Sequence, residues 1–257
     1  MKNILLLCLF CVVCLRPAVA VQKVVIEADD DYAPYSYVEK GQHKGIYVEF
    51  LKKVAESLAP EYDVHIQPVP WKRGLQNLEQ GDSMALFPPY ANKERTYIRP
   101  YSVSLYHETI VLFCAQEVMK TVRKTFPDDF SDVVIGINLG FALGERMVLA
   151  AKAGKIKTEE AKGNDANIKK LNSGRIGCYA NDRLSVIHSI KGFRDDPEFR
   201  NFHPSEAVEL SGENAYVGYS ATNPAPFKAD FIAKMNVAIE EAKRAGVMSK
   251  LVADYSR

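Results

Sequence analysis

Residues 23–58 read KVVIEADDDYAPYSYVEKGQHKGIYVEFLKKVAESL, and this stretch decides the fold class. Residues 23–28 form a short apolar run of the kind a buried strand requires. An acidic turn, Asp29-Asp30-Asp31, ends it, and in Tyr32-Ala33-Pro34-Tyr35 the proline has no amide proton with which to continue a strand. Ile46, Phe50, Leu51, Val54 and Leu58 then recur at helical spacing, and Pro60 stops the pattern.

The alternation continues. Residues 64–70 predict a second strand, and Trp71, Leu75 and Leu78 mark a second helix closed by Gly81. Residues 83–87 predict a third strand, broken by Pro88-Pro89. Short strands alternating with helices predict an α/β fold of βαβ units around a mainly parallel sheet. A second series starts at residues 109–114. Strands are predicted over 133–137, 175–179 and 216–220, with helices over 144–152, 165–171 and 184–190, the last opened by Asn181-Asp182. A long amphipathic helix follows Pro226, with Phe227, Phe231, Met235, Ile239 and Ala242 on one face, and Gly246 separates it from residues 248–255. No internal repeat or low-complexity segment is visible. Two series without a long linker imply two lobes. In open α/β sheets ligands gather beyond the carboxyl ends of strands, which places residues 29–35, 87–90, 138–142 and 179–182 around one cleft if the lobes face each other.

The 33 basic and 32 acidic residues leave a formal charge of +1, and no Lys/Arg-rich run stands out that could form the basic face a nucleic-acid binder needs to displace counterions. Met1-Lys2-Asn3, an apolar run over residues 4–15 and Ala18-Val19-Ala20 match a secretory signal with cleavage before Val21. Arg16 and Pro17 close the run short of the length of a membrane span, so residues 1–20 are read as a cleaved signal peptide and the protein as exported to the periplasm. Three of the five cysteines leave with that segment. Cys114 and Cys178 remain, as a disulfide or as two buried thiols. The five histidines are scattered without ligand spacing, so neither a metal nor another cofactor is expected.

At this point the chain resembles the bacterial extracellular solute-binding proteins of family 3, the polar amino-acid-binding type. Tyr32-Ala33-Pro34-Tyr35 is similar to the family's opening segment, and residues 45–58 are similar to its signature, with Tyr47 at the first acidic position and Glu49 at the second. Residues 78–81, Asn92-Lys93-Glu94-Arg95 and Tyr101-Ser102 match its middle block, and residues 172–176 with Asn181-Asp182 resemble the block of the second lobe. The resemblance implies a type II periplasmic-binding-protein fold: residues 21–108 and 212–257 form one lobe, residues 109–211 the other, and the chain crosses near 105–110 and 210–218. It implies that Arg95 grips a ligand carboxylate, a task suited to the planar guanidinium fork. It further implies that Asp182 pairs with an ammonium, and that Asp29 and Tyr32 touch the rest of the ligand. Asp182 read on its own could equally be a helix cap.

The sequence departs from the family where hydroxyl residues usually line the cleft. Phe87-Pro88-Pro89-Tyr90 offers no proline amide protons, and Phe141-Ala142 follows Gly140. A ligand with an apolar or bulky part lying against Tyr32, Trp71, Phe87, Tyr90, Phe141 and Ala142 fits that change, because a fully polar one would lose hydrogen-bond partners on burial. The predicted protein is a monomeric, non-enzymatic binding protein. It closes on a small carboxylate-bearing ligand, an amino acid or related metabolite, and delivers it to an ABC transporter permease. The alternatives are a sensor feeding a receptor and a dehydratase-like enzyme. Ser102, Ser104 and His107 lie close in sequence but carry no nucleophile motif.

Overall fold

The structure is a computed structural model that describes residues 21–256. The signal segment read from residues 1–20 lies outside the described residues. Strand β1 (Gln22–Asp29) leads into a three-stranded ribbon of β2 (Asp31–Tyr32), β3 (Ser36–Glu39) and β4 (Gln42–Lys44). Helix α1 (Ile46–Glu56), β5 (Tyr62–Val69), α2 (Trp71–Gln80), β6 (Ala85–Phe87) and β7 (Ile98–Tyr101) follow. The chain then enters a second sheet through β8 (Tyr106–Cys114), α3 (Gln116–Met119), β9 (Val134–Asn138), α4 (Gly144–Lys152), β10 (Lys157–Ala161), α5 (Gly163–Asn172), β11 (Cys178–Asp182), α6 (Arg183–Gly192) and β12 (Ser205–Ala215). It returns to the first sheet as β13 (Gly218–Ser220) and ends in α7 (Lys228–Arg244) and α8 (Val247–Ser256). Among the described residues no helix is long and apolar enough to cross a membrane.

The fold is α/β with two lobes, each built on a five-stranded sheet, in the orders β5-β1-β6-β13-β7 and β10-β9-β11-β8-β12. These sheets are not mainly parallel, as the alternation predicts. In each, three neighbouring strands run parallel and two more join antiparallel. The antiparallel partners include the strands that carry the chain between lobes. Tyr106 of β8 faces Ala215 of β12, so the two crossings run side by side.

The predicted periodicity of α1 has a physical outcome. Ile46, Tyr47, Val48, Phe50, Leu51 and Val54 are all buried, packed beneath α7 and α8, and each large side chain so buried stabilises by roughly 1.5–3 kcal/mol. Its N-terminus requires Gly45, with φ of 126°, because a Cβ there would sit 2.5 Å from the Tyr35 carbonyl oxygen. Phe231, Met235, Ala238 and Ile239 bury the matching stripe of α7. Cys114 and Cys178, left open between two states by the sequence, face each other across β8 and β11 and form a disulfide.

Candidate functional site

The cavity lies between the lobes beyond the carboxyl ends of β1, β6 and β9. It is lined by Asp29, Tyr32, Trp71, Pro88, Tyr90, Arg95, Phe141 and Ala142, and it holds about 280 Å³ of empty space, part of it open to solvent. Each lining residue is placed by an end. Asp29 is the last residue of β1, Trp71 the first of α2, and Pro88 and Tyr90 follow β6. Phe141 and Ala142 follow β9 through the turn at Gly140, whose φ of 77° suits glycine. Arg95 sits in the turn before β7, where its amide donates to the Asn92 carbonyl at 3.2 Å.

Of the nine residues that the sequence proposes for the ligand, seven line this cavity: Asp29, Tyr32, Trp71, Tyr90, Arg95, Phe141 and Ala142. Two do not. Phe87 is fully buried in β6, a strand paired on both sides, and its place on the wall is taken by Pro88. Asp182 caps α6: its Oδ1 accepts from the Ser185 amide at 2.9 Å and the Tyr35 hydroxyl at 2.9 Å, and its Oδ2 from the Thr109 amide at 3.1 Å. Its carboxylate is thus occupied by the protein's own donors.

Arg95 holds the one guanidinium on the cavity wall. Its Nη2 donates to the Gly140 carbonyl at 2.7 Å, and its Cζ stacks 5.8 Å from the centre of the Trp71 ring. Trp71 Nε1 donates to the same carbonyl at 3.2 Å. Among the described residues no carboxylate lies within ion-pair distance of Arg95, and burial lowers its pKa, because desolvation penalises the charged form. A planar cation with spare donors on a cavity wall can pair with an anion. Asp29, 2 % exposed, has its pKa pushed up to about 8, chiefly by burial; the Asp31 amide on its Oδ1 at 2.9 Å works in the other direction.

Behind the wall lies a carboxylate that sequence reasoning missed. Glu108, on β8, accepts hydrogen bonds from the hydroxyls of Tyr32, Tyr47 and Tyr90. Burial pushes its pKa up to about 8, with Asp182 nearby adding to the rise and the three phenols opposing it. The available signal was an acid set directly against the apolar run of residues 109–114, in a chain with 13 tyrosines. A second missed group is a buried amide network in the second lobe. Asn164 Nδ2 donates to Ser185 Oγ at 2.8 Å and, across the cleft, to the Ala33 carbonyl at 3.0 Å, which also accepts from Ser185 Oγ at 2.6 Å. With the bonds from Arg95 and Trp71 to Gly140, the lobes are therefore in contact at two places.

The sequence profile of the bacterial extracellular solute-binding proteins, family 3, matches residues 24–257. The chain belongs to this family. Its members' two-lobed form accounts for the paired sheets and the cleft between them. A comparison with curated protein sequences finds no match. Solved structures share the fold at low identity. A histidine kinase sensor domain with similarity to periplasmic binding proteins is 13% identical, with a TM-score of 0.75 over 91% of this chain and 96% of that one. An ancestral arginine-binding protein bound to arginine is 17% identical, with a TM-score of 0.73 over 91% and 97%. An amino acid ABC transporter substrate-binding protein from Streptococcus pneumoniae bound to L-arginine is 14% identical, with a TM-score of 0.70 over 91% and 93%.

Proposed function

We propose that this family member is an exported, monomeric binding protein that closes on a small carboxylate-bearing ligand, an amino acid or related metabolite with an apolar body, and presents it to an ABC transporter. The observation that carries the reading is Arg95, a desolvated guanidinium on the cavity wall with no carboxylate partner among the described residues. A ligand carboxylate would take its remaining donors, and Trp71, Pro88, Tyr90 and Phe141 would surround the rest. The cavity is compact, which favours a ligand of single-residue size. The apparatus in this reading is a binding clamp without catalytic groups, its lobes made of residues 21–108 with 212–257 and of residues 109–211. The solved binding protein from Streptococcus pneumoniae, which serves an amino acid ABC transporter, supports the transport role.

Closure on a ligand requires contacts with both lobes, since only a differential affinity shifts the equilibrium. Here the first lobe supplies the charge, and the second supplies Phe141 and Ala142 with the Gly140 carbonyl that steadies Arg95. The test is gentle purification, native mass spectrometry, and identification of any released molecule, followed by calorimetry on R95A. Truncating one member of a buried charge pair costs roughly 2–5 kcal/mol, so affinity for a carboxylate ligand should fall at least thirtyfold. Unchanged affinity would refute the assignment. A sensory role is the second reading, favoured by the likeness to a histidine kinase sensor domain. Capture of the ligand-loaded protein by a receptor's periplasmic domain rather than by a permease would select it.

A further inference from the structure

Glu108 has no part in gripping a ligand, yet it is 1 % exposed and holds three phenol hydroxyls. Two of those phenols, Tyr32 and Tyr90, belong to the cavity wall. The Tyr90 hydroxyl donates to Glu108 Oε2 at 2.6 Å, and the Tyr32 hydroxyl donates to the same oxygen. The two hydroxyls lie 3.1 Å apart. A phenol has one proton to give, so neither ring retains one for a ligand. The other wall groups are equally poor in donors: the indole N–H of Trp71 is spent on Gly140, and Pro88, Phe141 and Ala142 carry no polar side-chain atom. Away from Arg95 and Asp29 the cavity therefore has no side-chain donor to offer.

We infer that Glu108 is a specificity-determining positioning residue: by holding the hydroxyls of Tyr32 and Tyr90 it makes the wall around the ligand's body donor-free, and so selects apolar bodies over bodies that carry a carbonyl or amide. The inference deepens the carboxylate reading above and rests on it. Its physical basis is that a buried acceptor without a donor forfeits its hydration and gains nothing in return. Glu108→Leu removes both accepting oxygens, so one of the two wall phenols can donate to the other across 3.1 Å and the proton of the second is released toward the cavity.

The experiment measures dissociation constants for near-isosteric pairs: L-leucine with L-asparagine, L-methionine with L-glutamine, and 4-methylpentanoate with succinamate. The native protein should prefer the apolar member of the pair it binds by roughly tenfold to a hundredfold, the range set by an unsatisfied buried polar group. In E108L that ratio should fall to within about threefold, and adding Y32F and Y90F to E108L should restore it. Weakening of both members by the same factor in E108L, with the ratio kept, would assign Glu108 a merely structural role and overturn the inference. Should E108L not fold, Y90F in the native background decides: both affinities should move by one factor. A selective loss of the amide member there would mean that the Tyr90 hydroxyl already serves the ligand, which overturns the inference. Binding of the panel without preference by the native protein overturns the inference alone. Failure of every member to bind overturns the carboxylate reading and the inference with it.

Discussion

Asp29 and Glu108 are two acids whose protons the folded chain holds to about pH 8, against ordinary values of 3.8 and 4.5, because burial disfavours their charged forms. Folding therefore binds protons between those limits, and stability must fall as pH rises through the window. Below pH 6.5 the picture is mixed, since burial lowers the pKa of His43 and His188 and their unfolded forms take up protons there. From pH 6.5 to 8 the carboxyl groups dominate, at about 1.4 kcal/mol per pH unit for each. The melting temperature should drop by several degrees across that interval and level off above it, and E108Q should flatten the slope. A melting temperature that holds steady or rises from pH 6.5 to 8 would contradict the assignment. At this scale the sequence was legible where a residue type has one use: a guanidinium after Asn92-Lys93-Glu94, and aromatic residues at strand ends. Asp182 shows the limit, because a motif reports where an acid stands and not which of Tyr35, Thr109 and Ser185 will already be bonded to it.

Among the elements, helices with a wide apolar stripe were legible and polar strands were not. The pattern over residues 46–58 becomes α1 almost as read, because its periodicity is the physical cause of its burial. Strand β12, Ser-Glu-Ala-Val-Glu-Leu-Ser-Gly-Glu-Asn-Ala over residues 205–215, has no regular alternation. It is a strand because β8 offers it a full edge, with irregularities at Glu206/Val208 and Glu209/Ser211 that keep its few apolar groups in place. The same β8 carries Cys114, opposite Cys178 on β11, and the strand is thus tied on one side covalently and on the other by hydrogen bonds. The bridge spans a separation of 64 residues, for which chain-entropy arguments give roughly 4 kcal/mol, with typical losses of 2–5 kcal/mol. Replacing both cysteines by serine should therefore lower the free energy of unfolding in urea by that amount. A loss below about 1 kcal/mol would mean that sheet packing alone holds β8 and β11 together.

For the molecule as a whole, two lobes could be read from two α/β series, but the contact between them could not. It depends on main-chain acceptors that no motif marks. The Ala33 carbonyl accepts from Asn164 and Ser185, and the Gly140 carbonyl accepts from Arg95 and Trp71. The first pair reaches from the second lobe to the first and the second pair reaches back, so the two lobes are held together at two places by bonds that opening must break. Each is worth about 0.5–1.5 kcal/mol net, comparable to the few kcal/mol that separate open from closed forms in a clamp of this kind. In the proposed clamp a ligand would add to the closure that these bonds already favour. Ser185→Ala removes one bond to Ala33 and one partner of Asn164 while leaving the cavity wall untouched. It should move the ligand-free population toward the open form by about fivefold to tenfold, seen as a larger radius of gyration in solution scattering. Trp71, the single tryptophan, donates its indole N–H across the cleft, so its emission should shift to the red in parallel. Scattering and emission both identical to those of the native protein would mean that the Ala33 contact holds nothing shut, and that closure rests on Gly140, Arg95 and the ligand alone.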